Sequence, residues 1–251
     1  MAASLMNLTD NTILITGGAS GIGLALAQRF VRAGSTVIVC GRRADKLREA
    51  QQQVPGLQVR ACDLASPAER VALRDWVTAQ FPQLNVLINN AGVQRRLQVA
   101  DPEDWATRQQ EIAINFEAPV HLSELFIPHL RQQDYAAIVN VTSGLAFTPP
   151  TFAPIYGATK AALHSFTIAL RHQLRDTRIE VLEIVPPAVN TDLGGTGLHN
   201  FGVPVDEFAD SVLARLAAGE LEVGFGTSEE RRLASRSELD AATEAMNARF
   251  S

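Results

Sequence analysis

Short strand-like runs return seven times along this chain, most of them with apolar residues at consecutive rather than alternate positions, and helix-patterned sequence fills the intervals between them. They fall at residues 12–16, 36–40, 57–61, 84–88, 136–141, 179–185 and 221–225; Thr-Val-Ile-Val-Cys at 36–40 is typical. A strand with one wet face alternates polar and apolar side chains, because neighbours point to opposite faces. A strand apolar on both faces needs cover on both, which means helices above and below a parallel sheet. Strict alternation of strand and helix gives an α/β fold, a doubly wound parallel seven-stranded sheet, with ligands at the carboxyl ends of the strands.

The helical patterns run from a Gly-rich turn to about residue 33, then over 44–53, 67–80, 102–132, 155–176 and 205–218. Gly34 is placed to stop the first of them. No repeat or linker divides the chain, and 251 residues suit a single domain at 1–227. Within it, the Gly-rich segment 187–204 is expected to cover a site. The polar tail 228–251, helical in pattern from about 237, is expected to pack on the domain or on a neighbouring subunit.

A net charge of −5, with no basic run longer than two residues, excludes a nucleic-acid partner. Residues 1–10 lack an apolar leader and no stretch approaches 18 apolar residues, so no membrane contact and a cytoplasmic location are expected. Cys40 and Cys62 cannot build a disulfide framework and are expected as inert buried thiols.

Of 22 basic side chains only Lys46 and Lys160 are lysine, and one of the two tyrosines stands four residues before Lys160 in Tyr156-Gly-Ala-Thr-Lys160. On a helix that spacing puts both side chains on one face. An ammonium there is expected to favour the phenolate and draw the Tyr156 pKa down toward the working pH. A tyrosine so tuned gives or takes a proton at a carbonyl or alcohol oxygen. Ser143, thirteen residues upstream, is a second donor for that oxygen. Asn115 lies inside the long helical stretch and Pro119 follows four residues later. Having no N–H, Pro119 leaves the Asn115 carbonyl without its helical partner and bends the helix. A carbonyl freed beneath Lys160 would hold a water and relay protons to Tyr156; a simple helix kink is the alternative.

The turn Thr16-Gly-Gly-Ala-Ser-Gly-Ile-Gly23 joins the first strand to the first helix. Small residues let the backbone approach a pyrophosphate, and the helix N-terminus supplies free N–H groups and a positive dipole. With this turn the doubly wound sheet is Rossmann-type. The second strand ends in Cys40-Gly-Arg42-Arg43, where an acidic residue would have accepted from a ribose 2′-hydroxyl. Arg42 and Arg43 instead match a 2′-phosphate, favouring NADP(H) over NAD(H); solvated side chains at a helix start are the alternative. Asp63, after the third strand, is placed either to accept from the adenine amino group or to cap a turn.

These residues resemble the short-chain dehydrogenase/reductase family from about Thr12 to Phe225. The resemblance rests on the turn at 16–23, Asp63, Asn89-Asn90-Ala91-Gly92, Asn115, Ser143, Tyr156-x-x-x-Lys160 and the segment from Pro186 to Thr191. Phrases such as LINNAGVQRR, IVNVTSGLAF and EIVPPAVNTDLGG are similar to the DltE-like oxidoreductases within it. The resemblance implies a catalytic set of Asn115, Ser143, Tyr156 and Lys160. It implies a dinucleotide held by Gly17, Ser20, Gly21, Ile22, Gly23, Arg42, Arg43, Asp63, Leu64, Asn90, Ala91, Gly92, Tyr156, Lys160, Pro186, Val189 and Thr191. Asn89 would brace the fourth strand, Lys160 would also bind the nicotinamide ribose, and Thr191 would hold the carboxamide. The family usually has Pro-Gly where this chain has Pro186-Pro187, so a backbone contact to nicotinamide at 187 is the weakest correspondence.

Leu145, Phe147, Phe152, Val189 and Leu193, with Leu198 from the covering loop, are expected to line an apolar substrate pocket for a ketone or aldehyde. Arg95-Arg96 reads as a solvated turn or as a contact to an anionic group at its rim. The five histidines form no HExxH frame and are joined by no cysteine, so no metal is expected. Ser143 lacks the Gly-x-Ser-x-Gly elbow of an acyl-transfer nucleophile. The expected function is therefore NADP(H)-dependent interconversion of a carbonyl and an alcohol. A catalytically silent dinucleotide sensor and an NAD(H)-dependent alcohol dehydrogenase are the rivals. Family members are usually dimers or tetramers, implying a homodimer or homotetramer here.

Overall fold

The computed structural model describes residues 6–100 and 104–249. Strands β1 (Thr12–Thr16), β2 (Thr36–Gly41), β3 (Gln58–Ala61), β4 (Val86–Asn89), β5 (Ala136–Val141), β6 (Ile179–Val185) and β7 (Glu222–Gly224) form one sheet in the order 3-2-1-4-5-6-7. Every neighbouring pair is parallel. The chain winds outward from β1 to β3, then returns to place β4 on the other side of β1. The crevice at that reversal, outside the carboxyl ends of β1 and β4, is where such sheets hold ligands.

Helices α1 (Gly21–Arg32), α2 (Ala44–Gln53) and α3 (Pro67–Gln80) follow the first three strands. After β4 come α4 (Trp105–Ile112) and α5 (Ala118–Leu130), then α6 (Pro154–Leu174), α7 (Val205–Ala217), α8 (Thr227–Leu233) and α9 (Arg236–Asn247). The two sheet faces carry separate cores. Ile13, Ile15, Val37 and Val39 meet Leu26 and Phe30 of α1 and Phe208 and Val212 of α7 on one face. On the other, Leu14, Ile38, Leu87 and Ile138 meet Leu122 and Phe126 of α5 and Leu170 of α6. Alternate residues of one strand thus enter opposite cores, the structural meaning of the consecutive apolar runs. The exception is β3, an edge strand whose Gln58, Arg60 and Ala61 are exposed; its run is not apolar on both faces.

The long helical stretch expected over 102–132 is interrupted, and its expected start at Pro102 lies outside the described residues. Between α4 and α5 one turn, Ala113–Glu117, is π-helical, with the Ala118 N–H bonded to the Ala113 carbonyl five residues back. Pro119 cannot donate to residue 115, so the ladder slips by one residue rather than simply kinking. The tail holds two helices, not one. Residue Ser228, fully buried, donates its hydroxyl to the Val185 carbonyl at the end of β6 and so fastens α8 to the sheet. A capping box at Ser235 and Glu238 starts α9. Among the described residues no helix is long and apolar enough to cross a membrane.

Candidate active site

A cleft of about 2280 Å³ opens over the carboxyl ends of the strands and runs from Arg42 and Arg43 to the tail helices. That exceeds the few hundred to about 1,000 Å³ of a single small-ligand pocket, leaving room for a dinucleotide and a second molecule.

Its nucleotide end is built mainly from backbone. Gly17 adopts φ 65°, and a Cβ there would lie 2.8 Å from the Ala91 Cα, so only glycine fits the turn. The Gly17 N–H binds the Cys40 carbonyl at 2.8 Å, tying the turn to β2. Thr16 Oγ1 accepts from the N–H groups of Asn90 and Ala91, each at 3.0 Å. Asn90 Nδ2 in turn donates to the Thr16 carbonyl at 2.9 Å, so its amide braces the turn while the residue borders the cleft. Gly17, Ser20, Gly21, Ile22, Arg42, Arg43, Asp63, Leu64, Ala91 and Gly92 all border this end. Gly23 does not: it sits behind the turn, where a Cβ would come 2.5 Å from Asn90 Nδ2. Its part is the close packing of α1, not ligand contact. Neither Arg42 nor Arg43 forms an ion pair with a described residue. Asp63 accepts the Ala65 N–H at 3.0 Å, which makes it a turn residue at the cleft wall.

The catalytic end joins the end of β5 to α6. Ser143 follows β5, and the π turn and α6 bring Asn115, Tyr156 and Lys160 to it. A Cβ on Gly92 would lie 3.6 Å from Asn115 Oδ1 and 3.7 Å from Lys160 Nζ, so all three residues converge at one spot. Ser143, Tyr156, Lys160 and Gly92 border the cleft. Asn115 is fully buried beneath it. Its amide donates to the Val93 carbonyl at 2.8 Å and accepts the Val93 N–H at 2.9 Å, clamping the strand-end segment.

The electrostatics differ from the sequence expectation. Burial pushes the Tyr156 hydroxyl up to about 12; the Ser143 hydroxyl opposes that shift and Glu111 adds to it. Burial draws Lys160 down to about 8, with Glu183 acting the other way. The ammonium points to the Val141 carbonyl at 2.7 Å and stands 5.8 Å from the Tyr156 ring centroid. Loss of water around each group is the largest cause of its shift, so Tyr156 rises where the sequence led to an expected fall. Glu111, fully buried, is pushed up to about 7 by burial, and one of its carboxyl oxygens has no hydrogen-bond partner. No motif flagged Glu111. The available signal was an acidic residue one turn before Asn115 on the inward face of α4.

Pro186, Pro187, Val189 and Thr191 border the cleft on its far side, with Thr191 Cγ2 3.2 Å from where a Gly21 Cβ would stand. The covering segment is pinned at its base by the Asn190 N–H to the Val203 carbonyl and the Val203 N–H to the Ala188 carbonyl, both 2.9 Å. Leu145, Phe152 and Leu193 line the substrate side. Phe147 does not; its ring lies against His164, centroids 4.7 Å apart. Leu198 lines a small neighbouring groove instead. Arg95 is held by the Thr107 carbonyl and Gln110, and Arg96 lies over the Phe152 ring at 5.3 Å. The tail contributes Arg231, Leu239 and Met246, which sequence reasoning missed.

The cysteines are buried, and burial pushes both thiols upward, Cys62 to about 11. His164 meets Glu183 at 2.9 Å, with Glu222 close by. Glu183 also accepts from the Thr142 hydroxyl at 2.7 Å, which makes the group a hydrogen-bonded network behind β6.

The family model described as short chain dehydrogenase matches residues 11–199. An uncharacterized oxidoreductase, DltE, of Bacillus subtilis is 47% identical over 248 residues, covering 96% of this chain and 98% of that protein. The NADP-dependent 3-hydroxy acid dehydrogenase YdfG of Escherichia coli is 29% identical over 75% of each chain. A short chain dehydrogenase of Burkholderia cenocepacia, solved with NADP, superposes with a TM-score of 0.82 at 25% identity, covering 95% of this chain and 99% of that one.

Proposed function

This chain belongs to the short-chain dehydrogenase/reductase family of oxidoreductases, and on that premise we propose that it interconverts a carbonyl compound and an alcohol with NADP(H). The carrying observation is that Ser143, Tyr156 and Lys160 border one cleft with the glycine turn and the two arginines, the Ser143 hydroxyl acting on the Tyr156 hydroxyl. The glycine turn fits a pyrophosphate because its small residues leave the backbone bare at the N-terminus of α1, the positive end of that helix. Arg42 and Arg43, free of carboxylates at the end of β2, fit a 2′-phosphate. When bound, the dinucleotide supplies or takes up hydride.

The protein's own part is the oxygen and its proton. Negative charge builds on the carbonyl oxygen during reduction, so the Ser143 and Tyr156 hydroxyls aimed at it stabilise that state. A tyrosine held near 12 stays protonated at neutral pH and is ready to donate. Lys160 is positioned to bind ribose hydroxyls and to supply charge as Tyr156 gives up its proton. Asn115 is a positioning residue: it holds Val93 and, at the π turn, offers a carbonyl that Pro119 leaves without a helical donor. Through it a water would connect Lys160 to solvent.

Tyr156→Phe keeps the ring and removes the proton. It should reduce carbonyl-dependent NADPH oxidation while leaving NADPH binding intact; unchanged turnover would overturn the reading. Assembly as a homodimer or homotetramer through α4–α5 and α6 accords with the exposure of Trp105 and Ile168, 61% and 38%. Light scattering of the purified protein tests it, and a monomer would refute it. Cytoplasmic residence completes the proposal, and cell fractionation checks it.

A further inference from the structure

Helix α8 carries two arginines in succession, and the structure treats them oppositely. Arg232 turns to the sheet side, where it pairs with Glu229 and stands 4.0 Å from Glu222. Glu229 also holds Arg215 at 2.9 Å and accepts the Gly224 N–H. Arg231 turns the other way, into the cleft. Its Nη1 lies 3.4 Å from where a Cβ on Gly144, the residue after Ser143, would stand. The guanidinium is half-buried and makes no hydrogen bond or ion pair with a described residue. Among the described residues, the exposed Glu230 beside it is the one carboxylate whose charge acts on it, and burial draws the Arg231 pKa down.

An exposed arginine without a partner, such as Arg42, is ordinary. A half-buried one is costly, because lost hydration is not replaced by a carboxylate. Nor does looseness of the helix explain it. Ser228, one turn earlier on the same face, is locked to the Val185 carbonyl, and its Cβ lies 3.0 Å from the same point beside Gly144. The helix is fixed so that this cation stands at the cleft wall beside Gly144, the residue after Ser143.

We infer that Arg231 is the anion-recognition residue of the substrate subsite, and that the substrate is a short carbonyl compound bearing a carboxylate. This rests on the carbonyl–alcohol reading above. Ser143 and Gly144 are adjacent, their Cα atoms about 3.8 Å apart, so an anion on Arg231 occupies the same end of the cleft as the reacting carbonyl. A guanidinium fork matches a planar carboxylate through two parallel hydrogen bonds. It neutralises a single charge, and the exposed Glu230 beside it opposes a second, which disfavours a phosphoryl group.

The test uses the full chain with NADPH and a series of 2-, 3- and 4-oxo acids, each beside its methyl ester and its phosphonate analogue. The wild type should prefer one acid over its ester by roughly 10- to 100-fold in kcat/KM. Arg231→Met should abolish that preference through KM, leave turnover of the ester and NADPH affinity within about twofold, and Arg231→Lys should restore part of it. Removing an uncompensated cation should leave Tm unchanged or raised, whereas Arg215→Met, which breaks paired contacts, should lower it. The inference is overturned if Arg231→Met keeps the acid preference, if the wild type shows none, if the phosphonate is preferred, or if Arg231→Met lowers Tm as Arg215→Met does. Tyr156→Phe separates the two readings. Acid and ester reduction both unaffected by it defeats the carbonyl reading; Tyr156-dependent reduction indifferent to the acid group defeats the Arg231 subsite alone.

Discussion

The two ends of the cleft are made in different ways. The nucleotide end comes from short stretches that each follow a strand: 17–22 after β1, 42–43 after β2, 63–64 after β3 and 90–92 after β4. Its backbone is held by a local hydrogen-bond set centred on Thr16 and Asn90. The substrate end gathers residues 145–152, the segment 187–204 and two tail helices, which meet only because α8 is nailed to β6. A ligand common to many proteins is met by backbone geometry that tolerates little change. A ligand particular to one protein is met by side chains on elements appended to the sheet.

If that contrast is right, damage at the junction of the two ends should be the most severe. Tyr156→Phe is expected to lower kcat by about 10²- to 10⁴-fold with NADPH affinity unchanged, measured by NADPH absorbance and by titration. Next in size is Gly17→Ala, which meets both a left-handed φ and the Ala91 backbone. It should cost about 2–3 kcal/mol in stability and abolish tight dinucleotide binding, read by denaturant melts and calorimetry. Arg42→Ala should weaken NADPH by roughly 10- to 100-fold and leave NADH unaffected. Equal loss for both cofactors would show that Arg42 shapes the site rather than recognising a phosphate.

The smallest effect concerns Glu111. Its folded pKa is raised from 4.5 to about 7, so the folded state holds its proton more tightly than the unfolded chain. The protein should therefore lose stability as pH rises from 4.5 through 7, by about 1–3 kcal/mol, and level off above. Glu111→Gln should flatten that slope in melts at pH 5 and 7.5. Because ionised Glu111 opposes ionisation of Tyr156, the same variant should move the alkaline limb of the rate profile to lower pH.

The order of strands and helices was readable because burial on both faces imprints the inner strands of the sheet, though not the edge strands β3 and β7. The glycine turn, the Tyr156–Lys160 pair and Ser143 were readable because each is a short motif whose spacing carries its geometry. Pro119 announced a break, but whether it would kink the helix or slip it into a π turn depended on the packing around Asn115. Three things lay beyond the sequence. Phe147 faces His164 instead of the cleft, since rotamers near an apolar wall are settled by the best-fitting neighbour. The charge states of Tyr156, Lys160 and Glu111 follow desolvation, which exists only once the chain has folded around them. Arg231 and Arg232 are adjacent and chemically identical, and only the anchoring of α8 sends one to a carboxylate and the other to the cleft. Periodicity and spacing along the chain determined the sheet and brought the glycine turn, Ser143, Tyr156 and Lys160 to one cleft. Contacts between residues tens of positions apart decided the charges and the substrate wall, because water is excluded by the assembled whole.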